Sequence, residues 1–377
     1  VIALPMVALL LALGFVKIVL TLLLPSLALL LGVPLSVIAK TLIALVDAID
    51  GLPGSAVHVP YPSLVWTIAG LTWVLLLALV ENRRWRWLIK GMLPGLILWL
   101  IAPMTPWFSN VALRLDMLAV GDGTCIVVRS QGSTALFDAG SSTDLNAGQR
   151  IIVPALRRLN VRTIDFIAIS HANLDHYSAV LEIVDEFEVQ KVLVTPHLIE
   201  TARLDHESPI AHLLDQLTQR YVMVSPTSAG DRMTLGDATL TWLHPDEDDR
   251  FTMANDSSMV IRIDAGGRSA LLCGDLQQRG IIDLLTGQEF VKVDILELPH
   301  HGSYSVEAVE FLRLADPEIV LQSTGLRRWE ADRWRDELAQ RQRLVTARDG
   351  ACGVIIDREG RIETWRYITP SAAAPSR

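Results

Sequence analysis

The sequence predicts a helical membrane segment followed by a layered α/β/β/α sandwich. Three observations lead to this prediction. Long apolar stretches with few charges fill residues 1–110, short strands separated by glycine-containing turns begin at residue 111, and further strands then alternate with amphipathic helices. Strands with helices outside them are typical of a layered sandwich. We therefore expect a membrane part over residues 1–110 and a folded domain over residues 111–368.

Charge separates the two parts of the chain. Residues 1–110 hold six of the 33 basic and three of the 42 acidic residues, so 27 basic and 39 acidic residues remain for the second part. This acidic balance argues against a broad phosphate-binding surface, but not against a metal site that holds one phosphodiester. The three cysteines form no C-x-x-C pair and are expected to be small buried apolar side chains: Cys125, Cys273 and Cys352.

The apolar stretches predict membrane helices. Residues 6–31 contain a single charge, Lys17, and are long enough to cross a bilayer. Residues 35–50 carry charges on one helix face and predict an amphipathic helix at the membrane surface, with a helix packed on neighbouring spans as the alternative. Further spans are predicted at about 64–80 and 88–108. Because Val1 already lies in an apolar stretch, we expect an upstream segment.

The segment between the last two spans predicts the orientation of the chain. Residues 81–90 combine four basic residues with two tryptophans. Short basic loops stay cytoplasmic, and tryptophan anchors at the membrane interface. We therefore expect a multi-pass membrane protein, with everything after residue 110 on the extracytoplasmic side. A nucleic-acid-binding patch is the alternative interpretation of this basic segment.

The second part of the chain shows the periodicities of a mixed α/β domain. Helices are predicted at about 148–159, 176–187, 207–220, 277–286, 305–315 and 329–341. Strands are predicted near 111–120, 125–129, 134–137, 166–169, 191–194, 238–243, 259–264, 268–273, 293–298, 318–321 and 353–357. The small-residue composition of residues 369–377 predicts a disordered tail.

Residues 171–176 combine two histidines and a carboxylate directly after the apolar run 166–169. Borderline divalent cations prefer this mixture of imidazole and carboxylate ligands. His171, Asp175 and His176 follow the spacing H-x-H-x-D-H of the dinuclear metal site in metallo-β-lactamase-fold hydrolases, with Asn173 in the position of the second histidine. Taken alone, the same pattern also fits a loop with solvated side chains.

Further candidate ligands follow other predicted strands. Asp275 comes directly after a buried strand and a glycine, where one carboxylate can bridge two metal ions. His300 and His301 end another strand, and Asp138 ends a third. Because the carboxyl ends of strands converge on one sheet edge, we expect these side chains to share a site.

The order of these pieces resembles the ComEC family, the DNA-uptake channel proteins of bacterial competence. In that family, the last transmembrane segments of a channel domain lead directly into a metallo-β-lactamase-like domain. The resemblance covers nearly the whole chain, and its last stretch is the most specific. It is carried by Leu52-Pro53-Gly54-Ser55, Leu243-His244-Pro245, Asn255-Asp256-Ser257-Ser258, Cys273-Gly274-Asp275 and Leu298-Pro299-His300-His301-Gly302-Ser303.

The resemblance implies a divalent metal site with one or two ions of Zn or Mn. The implied ligands are His171, Asp175, His176 and His301, with Asp275 as the bridging carboxylate and Asn173 as a weaker neutral donor. His300 is implied as a ligand or as the proton donor to the leaving group, so the catalytic residues would be Asp175, Asp275 and His300. The residues expected around them are Asp138, Asp122, His244 and Asn255.

Two stretches depart from the family's pattern. Thr124 stands where the family has an acidic residue, and Asp122 is the candidate to compensate from the turn. The family's Asn and His-Pro pair is missing near residue 326, where Arg327 or Arg328 would hold a phosphate or, as the alternative, be a surface charge. We therefore expect one metal ion to bind well and the second weakly.

The resemblance implies a metal-dependent phosphodiesterase, a nuclease that degrades one strand of incoming DNA while the membrane part forms the channel. The implied location is the bacterial inner membrane. The expected partners are DNA, the lipid bilayer, and other DNA-uptake components or a second copy of the chain. Asn173 and Thr124 motivate a first alternative, a non-catalytic transport or DNA-guiding component with a degenerate hydrolase domain. The acidic surface supports another, a membrane-anchored phosphoesterase or β-lactamase-like hydrolase unrelated to DNA.

Overall fold

The computed structural model describes residues 3–50, 64–101, 110–287 and 292–368. The chain divides into two compact units, Val1–Val59 and Pro60–Arg377. The stretch 52–55, the end of the span predicted over 88–108 and the predicted tail 369–377 lie outside the described residues.

The described part of the first unit is helical. It contains α1 (Ala3–Leu23), α2 (Pro25–Leu30) and α3 (Gly32–Asp50). The prediction of one continuous helix over 6–31 is wrong, because the helix is interrupted at Leu24. Leu24 leaves the helical conformation, and Pro25 cannot continue a helix that precedes it. Two stretches are long and apolar enough to cross a membrane, Met6–Leu23 and Pro25–Val46. The second includes most of residues 35–50, so α3 fits a membrane span as well as the predicted interfacial helix.

The second unit begins with three further helices. These are α4 (Leu64–Leu79), α5 (Arg83–Gly91) and α6 (Leu93–Ile101). The Asn82 side chain accepts a hydrogen bond from an amide in the first turn of α5 and caps this helix. The indole groups of Trp66 and Trp73 donate to backbone carbonyls of α6 and α5, at 3.0 and 2.6 Å. These bonds join α4 to the two shorter helices.

Residues 111–368 form two packed β-sheets, which confirms the predicted sandwich. The first sheet contains, in spatial order, β17 (Ile362–Arg366), β16 (Cys352–Asp357), β1 (Val111–Met117), β2 (Ile126–Ser130), β3 (Ser133–Phe137), β5 (Phe166–Ile169), β7 (Lys191–Val194) and β8 (Met223–Pro226). The second contains β15 (Gln342–Val345), β14 (Ile319–Gln322), β13 (Ile295–Glu297), β12 (Arg268–Leu272), β11 (Val260–Ala265), β10 (Ala238–His244) and β9 (Arg232–Leu235). A separate pair is formed by β4 (Thr163–Ile164) and β6 (Glu188–Val189).

Helices alternate with the strands of both sheets. They are α7 (Val153–Arg158), α8 (Leu174–Tyr177), α9 (Val180–Glu186), α10 (Pro196–Leu204), α11 (Pro209–Gln219), α12 (Gln278–Gly287), α13 (Val306–Ala315), α14 (Leu326–Glu330) and α15 (Thr346–Asp349). Successive side chains of a strand point to opposite faces, so each sheet contributes to two apolar layers. Val128 of β2 packs between the sheets with Trp242, whereas Val127 packs under α9 with Ile183. A third layer joins the second sheet to α12 and α13.

Strand direction determines where the polar side chains meet. The neighbours β3, β5, β7 and β8 are parallel, and so are β12, β13, β14 and β15. The carboxyl ends of neighbouring parallel strands lie at the same edge of their sheet. The turns that follow β3, β5, β12 and β13 therefore bring together the polar residues that the sequence places just after these strands.

The predicted helix over 329–341 is wrong. Only α14 is helical there, and turns then lead into β15. The indole of Trp334 is buried and donates to the Gly302 carbonyl at 2.8 Å, while Arg343 pairs with Asp332 at 2.8 Å. These tertiary contacts outweigh the helical periodicity of the segment. The sequence also did not predict helix α10 or strands β8, β9, β15 and β17. The four strands are short and mix polar with apolar residues.

Candidate metal centre

The structure brings four of the predicted ligands together. One donor atom from each of Asp175, His176, Asp275 and His301 lies within 4.8 Å of the other three, and we call these residues the central cluster. Asp175 and His176 belong to α8, Asp275 follows β12, and His301 follows β13. His176, Asp275 and His301 are buried, whereas Asp175 is partly exposed. The cluster is therefore accessible to solvent on the side of Asp175.

The donor atoms of the central cluster face one another. His176 Nε2 lies 3.1 Å from Asp275 Oδ1, and His301 Nε2 lies 3.3 Å from both Asp275 Oδ1 and Asp175 Oδ2. The contact between His176 Nε2 and Asp275 Oδ1 lacks hydrogen-bond geometry, so both buried atoms are without a hydrogen-bond partner. A buried polar atom without a partner is costly. A divalent cation among these atoms satisfies them, so the residues present fit a metal ion.

In both His176 and His301, a hydrogen bond at Nδ1 fixes the orientation of the imidazole ring. His176 Nδ1 lies 2.6 Å from Asp138 Oδ2, and His301 Nδ1 lies 3.1 Å from the Ser323 carbonyl oxygen. Carboxylate and carbonyl oxygens only accept hydrogen bonds, so each Nδ1 carries a proton and donates it. The Nε2 atoms are thereby directed at Asp275. This arrangement is typical of histidines that bind a metal ion.

Opposite charges offset the cost of burying the cluster. Burial disfavours the Asp275 carboxylate, but the positive charges of His176 and His301 hold the pKa of Asp275 well below its usual range. Burial likewise disfavours the two imidazolium ions, yet the negative charge of Asp275 raises the pKa of both histidines above the usual value. Protons on the imidazoles thus balance the carboxylates. A divalent cation would take over this role and release protons.

His171 lies beside the central cluster but is outside it. Its side chain is fully buried, its ring centroid is 4.3 Å from that of His176, and its Nε2 has no hydrogen-bond partner. Burial, together with the charge of His176, lowers the pKa of His171 to about 3. The ring is therefore neutral and offers a lone pair.

Asn173 and Asn255 form a hydrogen bond with each other. The Asn173 amide donates to Asn255 Oδ1 at 2.8 Å, and Asn255 Nδ2 lies 3.5 Å from Asp275 Oδ2. Both amides are neutral, and the Asn173 amide is directed at Asn255. The structure therefore collects strong donors in the central cluster, whereas the two amides beside Asp275 are weak donors.

His300 lies beside Asp275 and Asn255. Its Nε2 is 3.6 Å from Asp275 Oδ2 and 3.4 Å from Asn255 Nδ2, and its Nδ1 is 2.7 Å from Gln277 Nε2. Burial lowers the pKa of His300, although the Asp275 charge opposes this. The position of His300, outside the central cluster and next to Asp275, fits a proton donor better than a ligand.

The backbone at the two adjacent histidines is in the left-handed region. His300 has a φ of 50° and His301 a φ of 55°, a conformation that non-glycine residues rarely adopt. Two side chains hold this turn, because Arg328 donates to the His300 carbonyl at 2.6 Å and Gln322 donates to the His301 carbonyl at 2.9 Å. Arg328 therefore supports the turn, in contrast to the predicted roles of phosphate ligand or surface charge.

The four residues predicted around the ligands have different positions. Asp138 is fully buried and accepts hydrogen bonds from the Ser170 amide and hydroxyl, at 2.7 and 2.8 Å, besides its contact with His176. Asn255 contacts Asp275, as described above. Asp122 instead accepts from the Gly325 amide at 3.1 Å, so it anchors the loop after β14 and does not compensate for Thr124. His244 is not part of the central cluster and forms a hydrogen bond with the Ser258 carbonyl.

Sequence reasoning missed Glu297. This buried carboxylate accepts hydrogen bonds from the amides of Cys273 and Gly274, at 2.8 and 3.2 Å, and so holds the turn before Asp275. Burial raises the pKa of Glu297 to about 7. Gly274 has a φ of +52°, and a Cβ there would meet Ser170 Oγ at 2.7 Å, so the turn requires glycine. The sequence signal that could have identified Glu297 is its position as the single acidic residue of the otherwise apolar strand β13.

Replacing Asp138 by asparagine is expected to weaken metal binding by about 10- to 100-fold, because the amide no longer holds His176 through a charged hydrogen bond. Isothermal titration of the apo chain with Zn²⁺ measures this change. Asp185→Asn is the matched control, since Asp185 forms an exposed ion pair with Arg220. Equal affinities for the Asp138 variant and the control would contradict the orienting role.

Comparisons with known proteins agree with this geometry. The family model of the metallo-β-lactamase superfamily matches residues 118–325. ComE operon protein 3 of Bacillus subtilis is 23% identical over 281 residues, which cover 71% of this chain and 35% of that protein. Competence protein ComA of Neisseria gonorrhoeae is 27% identical over 209 residues, which cover 54% of this chain and 26% of that protein. The chain thus spans about a third or less of the length of these relatives.

A solved structure with this fold is that of the metallo-β-lactamase fold protein YhfI from Bacillus subtilis, with 13% identity and a TM-score of 0.40, covering 67% of this chain and all of that protein. The relatives confirm the resemblance to the ComEC family, and the family match confirms a metal-dependent hydrolase class. The family model covers more than half of the chain. The chain belongs to the metallo-β-lactamase superfamily.

Proposed function

We propose that this chain is part of a DNA-uptake protein whose domain over residues 111–368 is a metal-dependent phosphodiesterase that cleaves DNA. The observation that carries the proposal is the central cluster, two carboxylates and two imidazoles directed at one another, in a chain whose relatives include competence protein ComA. The resemblance to the ComEC family suggests DNA as the substrate, and the donor atoms of the central cluster fit hydrolytic chemistry.

The roles of the residues follow from their positions. The central cluster would hold one divalent cation, Zn or Mn, and His171 would contribute to a second, weaker position. A divalent cation there lowers the pKa of water and polarises a phosphoryl oxygen. Asp275 orients the attacking water, and Asp175, at the solvent-accessible side, faces the incoming substrate.

His300 would protonate the leaving alkoxide. Its imidazole is neutral in the free protein because burial lowers its pKa. A phosphodiester bound beside it carries a negative charge, which raises the pKa of a neighbouring imidazole and favours the protonated form. Substrate binding therefore prepares this group for general acid catalysis.

Cleavage assays test the proposal. The purified full chain, supplied with Mn²⁺ or Zn²⁺, is expected to cleave single- or double-stranded DNA and to lose this activity in excess chelator. Asp175→Ala/Asp275→Ala removes two donors of the central cluster and is expected to be inactive. Cleavage of a β-lactam or a phosphomonoester, without cleavage of DNA, would favour the hydrolase unrelated to DNA. Equal cleavage by the double variant would refute the metal site.

We also propose that residues 1–110 are the membrane part and that the hydrolase domain lies outside the cytoplasm. Two stretches of the described residues are long and apolar enough to cross a membrane, which supports the membrane location. The basic, tryptophan-containing segment 81–90 supports the orientation. The same orientation would place the domain where incoming DNA arrives, next to a bilayer and to other uptake components or a second copy of the chain.

Fusion of alkaline phosphatase after Asn110 is expected to be active, because this reporter folds only outside the cytoplasm. Fusion of β-galactosidase at the same residue is the reciprocal control and should be inactive. The opposite pair of results would place the domain in the cytoplasm and overturn the proposed orientation.

A second candidate function is a DNA-guiding component that does not cleave. The hydrogen bond between Asn173 and Asn255 favours it, because two neutral amides lie where a dinuclear hydrolase needs strong ligands. DNA binding by the full chain without cleavage, under any of the metal conditions above, would support this alternative.

A further inference from the structure

A second group of metal-binding side chains lies away from the central cluster. One donor atom from each of His244, Asp249 and Asp283 lies within 4.8 Å of the other two. His244 ends β10, Asp249 belongs to the loop after it, and Asp283 lies on α12. The three residues thus come from two elements and a loop that are close only in the folded chain.

His244 points a buried lone pair at these carboxylates. Its side chain is 2% exposed, and its Nδ1 lies 2.8 Å from the Ser258 carbonyl oxygen. A carbonyl only accepts, so Nδ1 carries the proton and Nε2 presents its lone pair. Nε2 lies 3.9 Å from Asp283 Oδ2 and has no hydrogen-bond partner. A lone pair facing a carboxylate at this distance, without a proton or a cation between them, is unfavourable.

Within the described residues, neither Asp249 nor Asp283 forms an ion pair with a lysine or arginine. Burial, and the negative charges of Asp249 and Asp246, raise the pKa of Asp283. Burial lowers the pKa of His244, so its imidazole supplies no positive charge at neutral pH. The Arg250 guanidinium donates to backbone carbonyls of its own loop and forms no ion pair with either carboxylate within the described part of the chain. The local charge balance therefore favours a cation.

We propose that His244, Asp249 and Asp283 form a second divalent-cation site, separate from the central cluster. One imidazole and two carboxylates suit Zn²⁺ or Mn²⁺, whereas Ca²⁺ and Mg²⁺ prefer oxygen ligands throughout. Ligands of one zinc ion are separated by roughly 3–4 Å, so small side-chain rotations bring these three donors into range. Water fills the remaining coordination positions on the exposed side.

The site would fix the segment that carries Asn255. His244 binds the Ser258 carbonyl, and the Ser258 hydroxyl accepts from the Asp275 amide at 3.2 Å. The Asp256 carboxylate, in the same segment, accepts from two amides at the start of α12, at 3.1 and 3.2 Å. A cation held between β10 and α12 would therefore stabilise the loop that borders the central cluster. We expect it to act on stability and not on the chemical step.

Zinc binding by the full chain in the Asp175→Ala/Asp275→Ala background tests the proposal with both carboxylates of the central cluster removed. Titration is expected to give one Zn²⁺ per chain and a higher melting temperature. Adding Asp249→Asn/Asp283→Asn is expected to lower the affinity at least about 10-fold and to remove the thermal shift. Both aspartates are partly exposed, so the asparagine variants should fold.

The matched control is Glu247→Gln/Asp248→Asn, which removes two negative charges from the same loop and leaves the three donors in place. It should bind zinc like the background. Unchanged zinc affinity in the Asp249/Asp283 variant, or equal losses in both variants, would overturn the proposal. The same substitutions in the wild-type chain give a second readout, a loss of one zinc equivalent, and this outcome does not depend on whether the chain cleaves DNA.

Discussion

Asp275→Asn is expected to remove one equivalent of bound metal and to lower kcat/KM for DNA cleavage by at least about 10³-fold, which corresponds to about 4 kcal/mol of transition-state stabilisation. Asp275 is 2% exposed and its Oδ1 is shared between His176 Nε2 and His301 Nε2, at 3.1 and 3.3 Å. Asparagine keeps the size of the side chain but removes its charge. Its amide would also direct hydrogens at the lone pairs that a metal ion needs.

Metal content, measured by plasma mass spectrometry after desalting, and cleavage of labelled DNA follow the two effects separately. Asp264→Asn is the matched control, because Asp264 lies on β11 of the same sheet and forms a half-exposed ion pair with Arg262. The control should keep both metal and activity. An Asp275→Asn chain with wild-type metal content would show that the metal lies elsewhere, and one that cleaves within 10-fold of wild type would show that Asp275 is not catalytic.

The sequence predicted the layers of the domain because its central strands are buried and bounded by clear turns. β5 is a four-residue apolar run followed directly by Ser170 and His171, and its position was predicted correctly. Edge strands such as β9 and β17 combine polar and apolar residues and give no such signal. For the segment after Trp329, the sequence predicted a helix that the structure does not contain. Its helical periodicity is outweighed by the burial of Trp334 against the turn that contains Gly302.

The candidate site was predictable where residues follow buried strands directly. Asp275 and His301 lie together because β12 and β13 are parallel and end at the same edge of the second sheet. The packing of the two sheets brings this edge to His176, which follows β5 of the first sheet. Other contacts depend on side-chain orientation and could not be read from the chain. Asp122 faces Gly325, Arg328 supports the turn at His300, and Glu297 holds the turn before Asp275.

Asn173→His is expected to add one zinc equivalent to the metal centre, with an affinity at least about 10-fold above that of the wild-type chain for this second ion. His171 already presents a neutral, buried imidazole whose Nε2 has no partner. The Asn173 amide is used for the hydrogen bond to Asn255 and is a weak donor. An imidazole at this position restores the spacing H-x-H-x-D-H and places a strong ligand beside His171.

The control for this gain is Asn173→Ala, which also breaks the hydrogen bond to Asn255 but supplies no ligand. If the second position lacks only a donor, histidine adds zinc and alanine does not. If both variants gain zinc, the amide pair itself excludes the ion, and releasing Asn255 is sufficient. If neither variant gains zinc, His171 is a buried structural histidine and the centre binds a single metal ion. Zinc titration of the three chains therefore separates a weakened dinuclear site from a site built for one metal ion.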